Sequence, residues 1–242
     1  MIQMDKNFFS VLVCLALIMG GIGMALANPD PSGASFDEIN TSRSDVDSPS
    51  NHSAIAGNVT ELDITGFTTT QSWQGYYGNV SGTIELANAG DSVLYNWSVA
   101  SPEGEVYASV NDSVEWTSIN CFNLSDTTLL NNLETTFGID SGDVDGVDET
   151  FSLSNHAEFF VGKIQFTSGN CSNTQLFDDS GSGSFDEVIL VDGDNKTVFA
   201  SLLQEDATGF DGDTTDFEML VPEDGHGTDE STTQYYFYVE LE

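Results

Sequence analysis

Between Gln71 and Val110 apolar and polar residues alternate with a period of two, and that alternation restricts the segment to antiparallel strands. Successive side chains of a strand point to opposite faces, so each run has one face to bury and one to wet. In the run from Asn79 to Leu86 the residues Val80, Ile84 and Leu86 share a parity, and from Val93 to Val99 the residues Val93, Tyr95, Trp97 and Val99 share one. These seven are expected to form a core face. Asn79 and Asn96, each opening an N-x-S sequon, fall on the opposite parity and are expected to face solvent. A register slip of one residue would bury both asparagines and expose Tyr95 and Trp97, with a large loss of apolar burial.

The same signal recurs along the chain. Leu62 and Ile64 are expected to begin the first strand, ahead of a turn at Gly66. Gly75, Gly78 and Gly82 interrupt the aromatic run from Trp73, so Trp73, Tyr76 and Tyr77 need not alternate simply. Val106, Ala108 and Val110 alternate after a turn at Pro102-Glu103-Gly104, and Val114 to Trp116 is a short strand. Strand patterns return at 151–153 and 157–167. Val188–Val191 and Thr197–Leu203 flank Asp192-Gly193-Asp194-Asn195, a hairpin signal. Phe217–Val221 and Tyr235–Leu241 close the set, the latter with Tyr235, Phe237, Val239 and Leu241 inward. Turn signals about every 8–12 residues predict an all-β fold, an antiparallel β-sandwich of immunoglobulin-like or jelly-roll type. One short helix is expected near 125–137. Ser125 serves as its cap with Asp126 in the first turn, Leu129, Leu133 and Phe137 recur every four residues beside Leu130, and Gly138 stops it.

Residues 1–27 read as a signal peptide. Lys6 precedes an apolar run from Phe8 to Met24, and Ala25-Leu26-Ala27 is a small-x-small cleavage site. The run is long enough that an uncleaved N-terminal membrane anchor is the alternative. Residues 28–53 are rich in Pro, Ser, Asp and Asn and poor in apolar groups, the composition of a disordered acidic linker. Residues 54–242 are left as a single β-sandwich domain. Removal of the leader leaves Cys121 and Cys171, and an even count in an exported chain points to a disulfide. A thiolate metal pair would have the close CxxC spacing, which is absent.

The chain carries 40 Asp and Glu against 4 Lys and Arg, a net charge of −36, yet 39% of it is hydrophobic. That apolar content sets it apart from disordered acidic tails. The charge argues against a nucleic-acid partner, because four cations among 40 acids cannot displace counterions from phosphates. High salt screens such self-repulsion, so the acidity reads as adaptation to molar salt, with cation binding as the alternative.

Nine N-x-S/T sequons begin at Asn40, Asn51, Asn58, Asn79, Asn96, Asn111, Asn123, Asn170 and Asn195. Most fall in turns or on wet parities, and the seven from Asn58 onward are the expected glycosylation sites of the domain. The loop Asp143-Val-Asp145-Gly-Val-Asp148 has the alternating carboxylates and glycine of calcium loops. Ser141 stands at its opening position and no Glu closes it, so a solvated salt-adapted loop is the competing reading. Trp73, Tyr76 and Tyr77 could stack a sugar or belong to the core. His52, His156 and His226 have no metal-ligand spacing, and no nucleophile elbow is present, so no enzyme is expected.

The segments Trp73–Gly82 and Tyr95–Ser109, with Asp216-Phe217 and Tyr235–Leu241, resemble a group of uncharacterised exported cell-surface proteins of halophile-like archaea. The resemblance spans most of the chain after the linker and implies an extracellular or cell-surface location without any chemistry. The resulting expectation is a non-catalytic cell-surface glycoprotein, structural or associated with an envelope or filament. Its partners would be itself or other envelope proteins, and it would touch a membrane only if the leader stays uncut. A calcium-dependent carbohydrate-binding or adhesion module is the alternative.

Overall fold

The computed structural model describes residues 29–98, 103–177, 183–224 and 232–241. The expected leader, Val99, residues 178–182 of the Ser/Gly loop, and His226 lie outside the described residues. In chain order the strands are β1 (Ser32–Gly33), β2 (Trp73–Gly78), β3 (Thr83–Ala87), β4 (Val93–Ser98), β5 (Gly104–Ser109), β6 (Asn120–Cys121), β7 (Phe159–Val161) and β8 (Ile164–Phe166). They continue as β9 (Asn173–Phe177), β10 (Gly183–Val191), β11 (Thr197–Leu202), β12 (Ala207–Thr208), β13 (Thr214–Thr215), β14 (Phe217–Pro222) and β15 (Tyr236–Leu241). Two helices, α1 (Thr127–Thr136) and α2 (Val147–Thr150), fall between β6 and β7.

The fold is all-β and antiparallel, sandwich-like as the alternation predicts. A seven-stranded sheet runs β1-β15-β5-β11-β10-β6, with β9 also paired to β10. Its centre is the expected β10–β11 hairpin, in register from Glu187↔Ser201 to Val191↔Thr197. The turn closes because Asp192 Oδ1 accepts from the backbone N–H of Asp194 (2.8 Å) and Lys196 (2.9 Å), while Asn195 takes a left-handed φ of 63°.

Both faces of this sheet are covered. On one, Val106, Ala108, Ile189 and Phe199 pack with Met219 and Val221 of β14 and with Leu130, Leu133 and Phe137 of α1 and its end. On the other, Tyr107, Val188, Leu190, Val198 and Ala200 meet Phe159, Val161 and Phe166 of the β7–β8 hairpin. Cys121 and Cys171 are joined in a disulfide, with Cα atoms 5.1 Å apart, linking β6 to the segment that enters β9. Close packing imposes a glycine at the start of β5: Gly104 has φ +120° and a Cβ there would lie 2.2 Å from the Glu240 carbonyl.

The α1 helix is capped by Asp126, not Ser125: the Asp126 carboxylate accepts from the N–H groups of Thr128 (3.0 Å) and Leu129 (3.2 Å). Gly138, at φ 65°, ends it as expected, with Ile139 N–H bonded to Glu134 O and Gly138 N–H to Thr135 O.

Several expectations are corrected. The largest concerns the face of Ile84, Leu86, Val93, Tyr95 and Trp97. The register Ile84↔Trp97 and Leu86↔Tyr95 groups four of them, whereas a register shift pairs Val93 with Ala87. All five are 46–59% exposed, because among the described residues β3 and β4 pair only with each other and no second layer covers them. Only Val80 joins the core margin. Leu62 (58% exposed) and Ile64 (85%) form no strand, having no partner to pair with. Within the stretch expected as linker, Ser32 and Gly33 pair with Val239 and Tyr238 and extend the sheet edge. Residues 116–118 form a 3₁₀ turn, Phe151 ends α2, and Leu153 makes only an isolated bridge to Asn173. In β15 Phe237, Val239 and Leu241, expected inward, are only half-buried, whereas the opposite face is buried, with Tyr238 at 9% and Glu240 at 1% exposure.

Candidate functional site

The sequon asparagines lie at the surface. Asn40, Asn51, Asn58, Asn79, Asn96, Asn123, Asn170 and Asn195 are exposed, and Asn111 is half-buried. Local turns position two of them: Asn123 Oδ1 accepts from Ser125 N–H at 3.1 Å, and Asn195 sits at the left-handed corner of the central hairpin. Asn96 is exposed on β4, on the parity opposite Tyr95 and Trp97. Asn79 is exposed as well, but in the segment between β2 and β3 and not on the strand expected there.

The acidic loop splits its predicted ligands. Asp145 turns away, its carboxylate accepting from the Thr70 hydroxyl (2.6 Å) and its carbonyl from the Trp73 indole N–H (2.6 Å). The Asp143 carboxylate accepts from Asp140 N–H at 3.1 Å. Asp148 instead meets Glu134 and Glu149, with one carboxylate oxygen of each within 4.8 Å of the others. Glu134, which periodicity assigned to no site, is buried on α1 and accepts from Val147 N–H at 3.4 Å. Burial raises its pKa, and Asp148, Glu149 and Asp143 add to the rise against that hydrogen bond. The Glu149 carboxyl is raised mainly by its hydrogen bond with Asp148. Three carboxylates so placed can share protons or offer oxygens to a hard cation.

The aromatics of β2 divide between core and surface. Trp73 packs near Phe151, Tyr76 sits edge-on to Phe237, and Tyr77 meets Phe210 in an exposed pair with ring centroids 5.0 Å apart. His156 is fully buried rather than at a loop edge. Its Nδ1 lies 2.6 Å from Ala157 O, and its Nε2 accepts from Cys171 N–H at 3.0 Å, which assigns the neutral ring with its proton on Nδ1. His52 is exposed, far from such a setting.

Buried acids inside the sheet are what sequence reasoning missed. Glu105 and Glu240 stand directly opposite on β5 and β15. The Tyr107 hydroxyl lies 3.1 Å from Glu240 Oε2 and 3.3 Å from Glu105 Oε2, and Gly162 N–H donates to both Glu240 oxygens at 2.9–3.0 Å. Burial, then the two carboxylates, push the Tyr107 hydroxyl well above its ordinary pKa. Glu187, on β10, accepts from Leu220 N–H at 2.8 Å through Oε2, while Oε1 has no hydrogen-bond partner. Burial pushes its pKa well above the ordinary value of 4.5, against the Leu220 hydrogen bond, and so favours the neutral acid. The available signal was an acid standing inside an otherwise apolar strand, as in Phe185-Asp186-Glu187-Val188 and Val239-Glu240-Leu241.

Comparison with known protein families, with curated proteins and with solved structures found no match. Among the described residues no helix is long and apolar enough to cross a membrane.

Proposed function

We infer that the chain is a non-catalytic, exported cell-surface glycoprotein: a structural β domain of an envelope or filament, adapted to high salt. The observation that carries this reading is the set of sequons, eight of nine with an exposed asparagine, distributed over turns and a strand face. The net charge of −36 fits the same setting, where molar salt screens the repulsion that would otherwise oppose the compact state. Mass spectrometry of the protein isolated from its native source tests the reading. Glycans on Asn79, Asn96 and the other exposed sequons are expected, together with higher thermal stability in about 2 M than in about 0.05 M sodium chloride. Unmodified asparagines throughout would overturn it.

The alternative, a calcium-dependent carbohydrate-binding or adhesion module, draws on the Glu134–Asp148–Glu149 cluster. Protein donors account for part of that geometry, since Val147 N–H bonds Glu134 and Thr70 takes Asp145. Calcium that raises the melting temperature at constant ionic strength, with the effect lost in Asp148→Asn, would favour this alternative.

A further inference from the structure

Among the described residues nothing covers the apolar face of the β3–β4 hairpin. Ile84, Leu86, Val93, Tyr95 and Trp97 are each about half exposed, and the rings of Tyr95 and Trp97 lie 4.8 Å apart. Both strands lack a second neighbour among the described residues, so their outer edges are also open. A two-stranded sheet without a covering layer is marginal in water, and a contiguous apolar patch rimmed by polar residues marks an interaction surface. We propose that this face is the contact through which a second copy of the chain binds.

Charge selects that occupant. From Asn79 to Ser98 the only charged residues are Glu85 and Asp91, in a chain with 40 acidic residues. Glu85 belongs to the parity opposite Ile84 and Leu86, so the apolar face itself carries no carboxylate. Two bodies of charge −36 can meet there without apposing acids. A membrane surface is disfavoured, because four Lys and Arg in the whole chain supply no attraction to anionic lipid. The chain's own apolar coil does not cover the face either: Ile55, Val59, Leu62, Ile64 and Phe67 are themselves exposed.

Size and symmetry agree. The half-exposed side chains leave on the order of 500 Å² per copy and about 1,000 Å² for a pair, near the lower end for a specific interface. Tyr and Trp are the residues that anchor such contacts, and a two-fold pairing needs only one self-complementary patch. The sequons at Asn79 and Asn96 lie off this face. A glycan on Asn96 would occupy the opposite side and leave the contact free; this clause alone rests on the glycoprotein reading.

Sedimentation equilibrium of the full chain in about 2 M sodium chloride tests the interface. The chain is expressed with its own leader, and detergent is added if the leader stays anchored. A dimer is expected at micromolar concentration. The double substitution Tyr95→Ser/Trp97→Ser should weaken it at least about tenfold, while Tyr77→Ser/Phe210→Ser, at the other exposed aromatic pair, leaves it unchanged. Far-UV circular dichroism checks that both variants fold. Three results would overturn the proposal: a monomer up to about 100 μM, a dimer indifferent to the hairpin substitutions, or a monomer whose Trp97 binds neutral phosphatidylcholine vesicles. An unglycosylated dimer would sink the glycoprotein reading and leave the interface, whereas a glycosylated monomer would do the reverse.

Discussion

In the main sheet Val188, Ile189 and Leu190 of β10 are wholly buried, facing α1 and β14 on one side and β7–β8 on the other. In the β3–β4 hairpin, Tyr95 and Trp97 are also paired across an antiparallel ladder and remain about half in water. Both regions are antiparallel hairpins, and a register shift between Leu86 and Ala87 interrupts the β3–β4 ladder near its turn. Tyr95 and Trp97 lie in its regular part, so backbone pairing does not explain their exposure. What differs is the presence of other layers. Burial of a strand face depends on a partner brought from a distant part of the chain, and the hairpin has none among the described residues.

The sharpest way to break this contrast is to truncate the same kind of side chain in each region. Phe199→Ala, in the layer between β11 and α1, should lower the unfolding free energy by about 3–5 kcal/mol in denaturant titration. A loss below about 1 kcal/mol would mean that the central sheet is not the packed core. Removing the disulfide by Cys121→Ser/Cys171→Ser should cost about 2–4 kcal/mol for its separation of 50 residues. That loss tests whether the β6 edge depends on a covalent tie that the hairpin does without.

Protonation sharpens the comparison, because burial in the covered sheet favours the neutral form of an acid, as the exposed hairpin does not. Folding raises the pKa of Glu187, so folding takes up a proton. The associated stability is fully present below the ordinary carboxylate value of 4.5 and is lost as pH rises through the higher folded value. Glu187→Gln should flatten that part of the stability–pH curve in high salt; curves of identical slope would show that Glu187 is not buried as a neutral acid. The smallest effect is expected in the hairpin. Trp97→Ala should change the stability of the monomer by less than about 1 kcal/mol, measured below the concentration at which copies associate. A larger loss in the monomer would mean that Trp97 is covered by its own chain.

Local pattern carried much of the architecture. The Asp192-Gly193 turn between two apolar runs specifies the central hairpin, the even cysteine count anticipates the disulfide, and Leu130, Leu133 and Gly138 delimit α1. Period two likewise grouped Ile84, Leu86, Tyr95 and Trp97 on one face and Asn96 on the other, which the register bears out. These are properties of neighbours in sequence, so they can be read there. The candidate sites were less legible. The meeting of Glu134 with Asp148 and Glu149, and that of Glu105 with Glu240, join residues from separate elements. A strand pattern says that an acid points to one face, not that the face will be covered.

Sequence by itself determined the central hairpin, the grouping of apolar residues along its strands and the exposure of eight of the nine sequons, because side-chain parity and turn chemistry act over a few residues. Tertiary structure alone decided which faces become core. Leu190 and Trp97 present the same apolar request, and only Leu190 is answered, by Phe159, Val161 and Phe166 arriving from the β7–β8 hairpin. The physical reason is that apolar burial is a relation between two surfaces, and the second surface is encoded elsewhere in the chain.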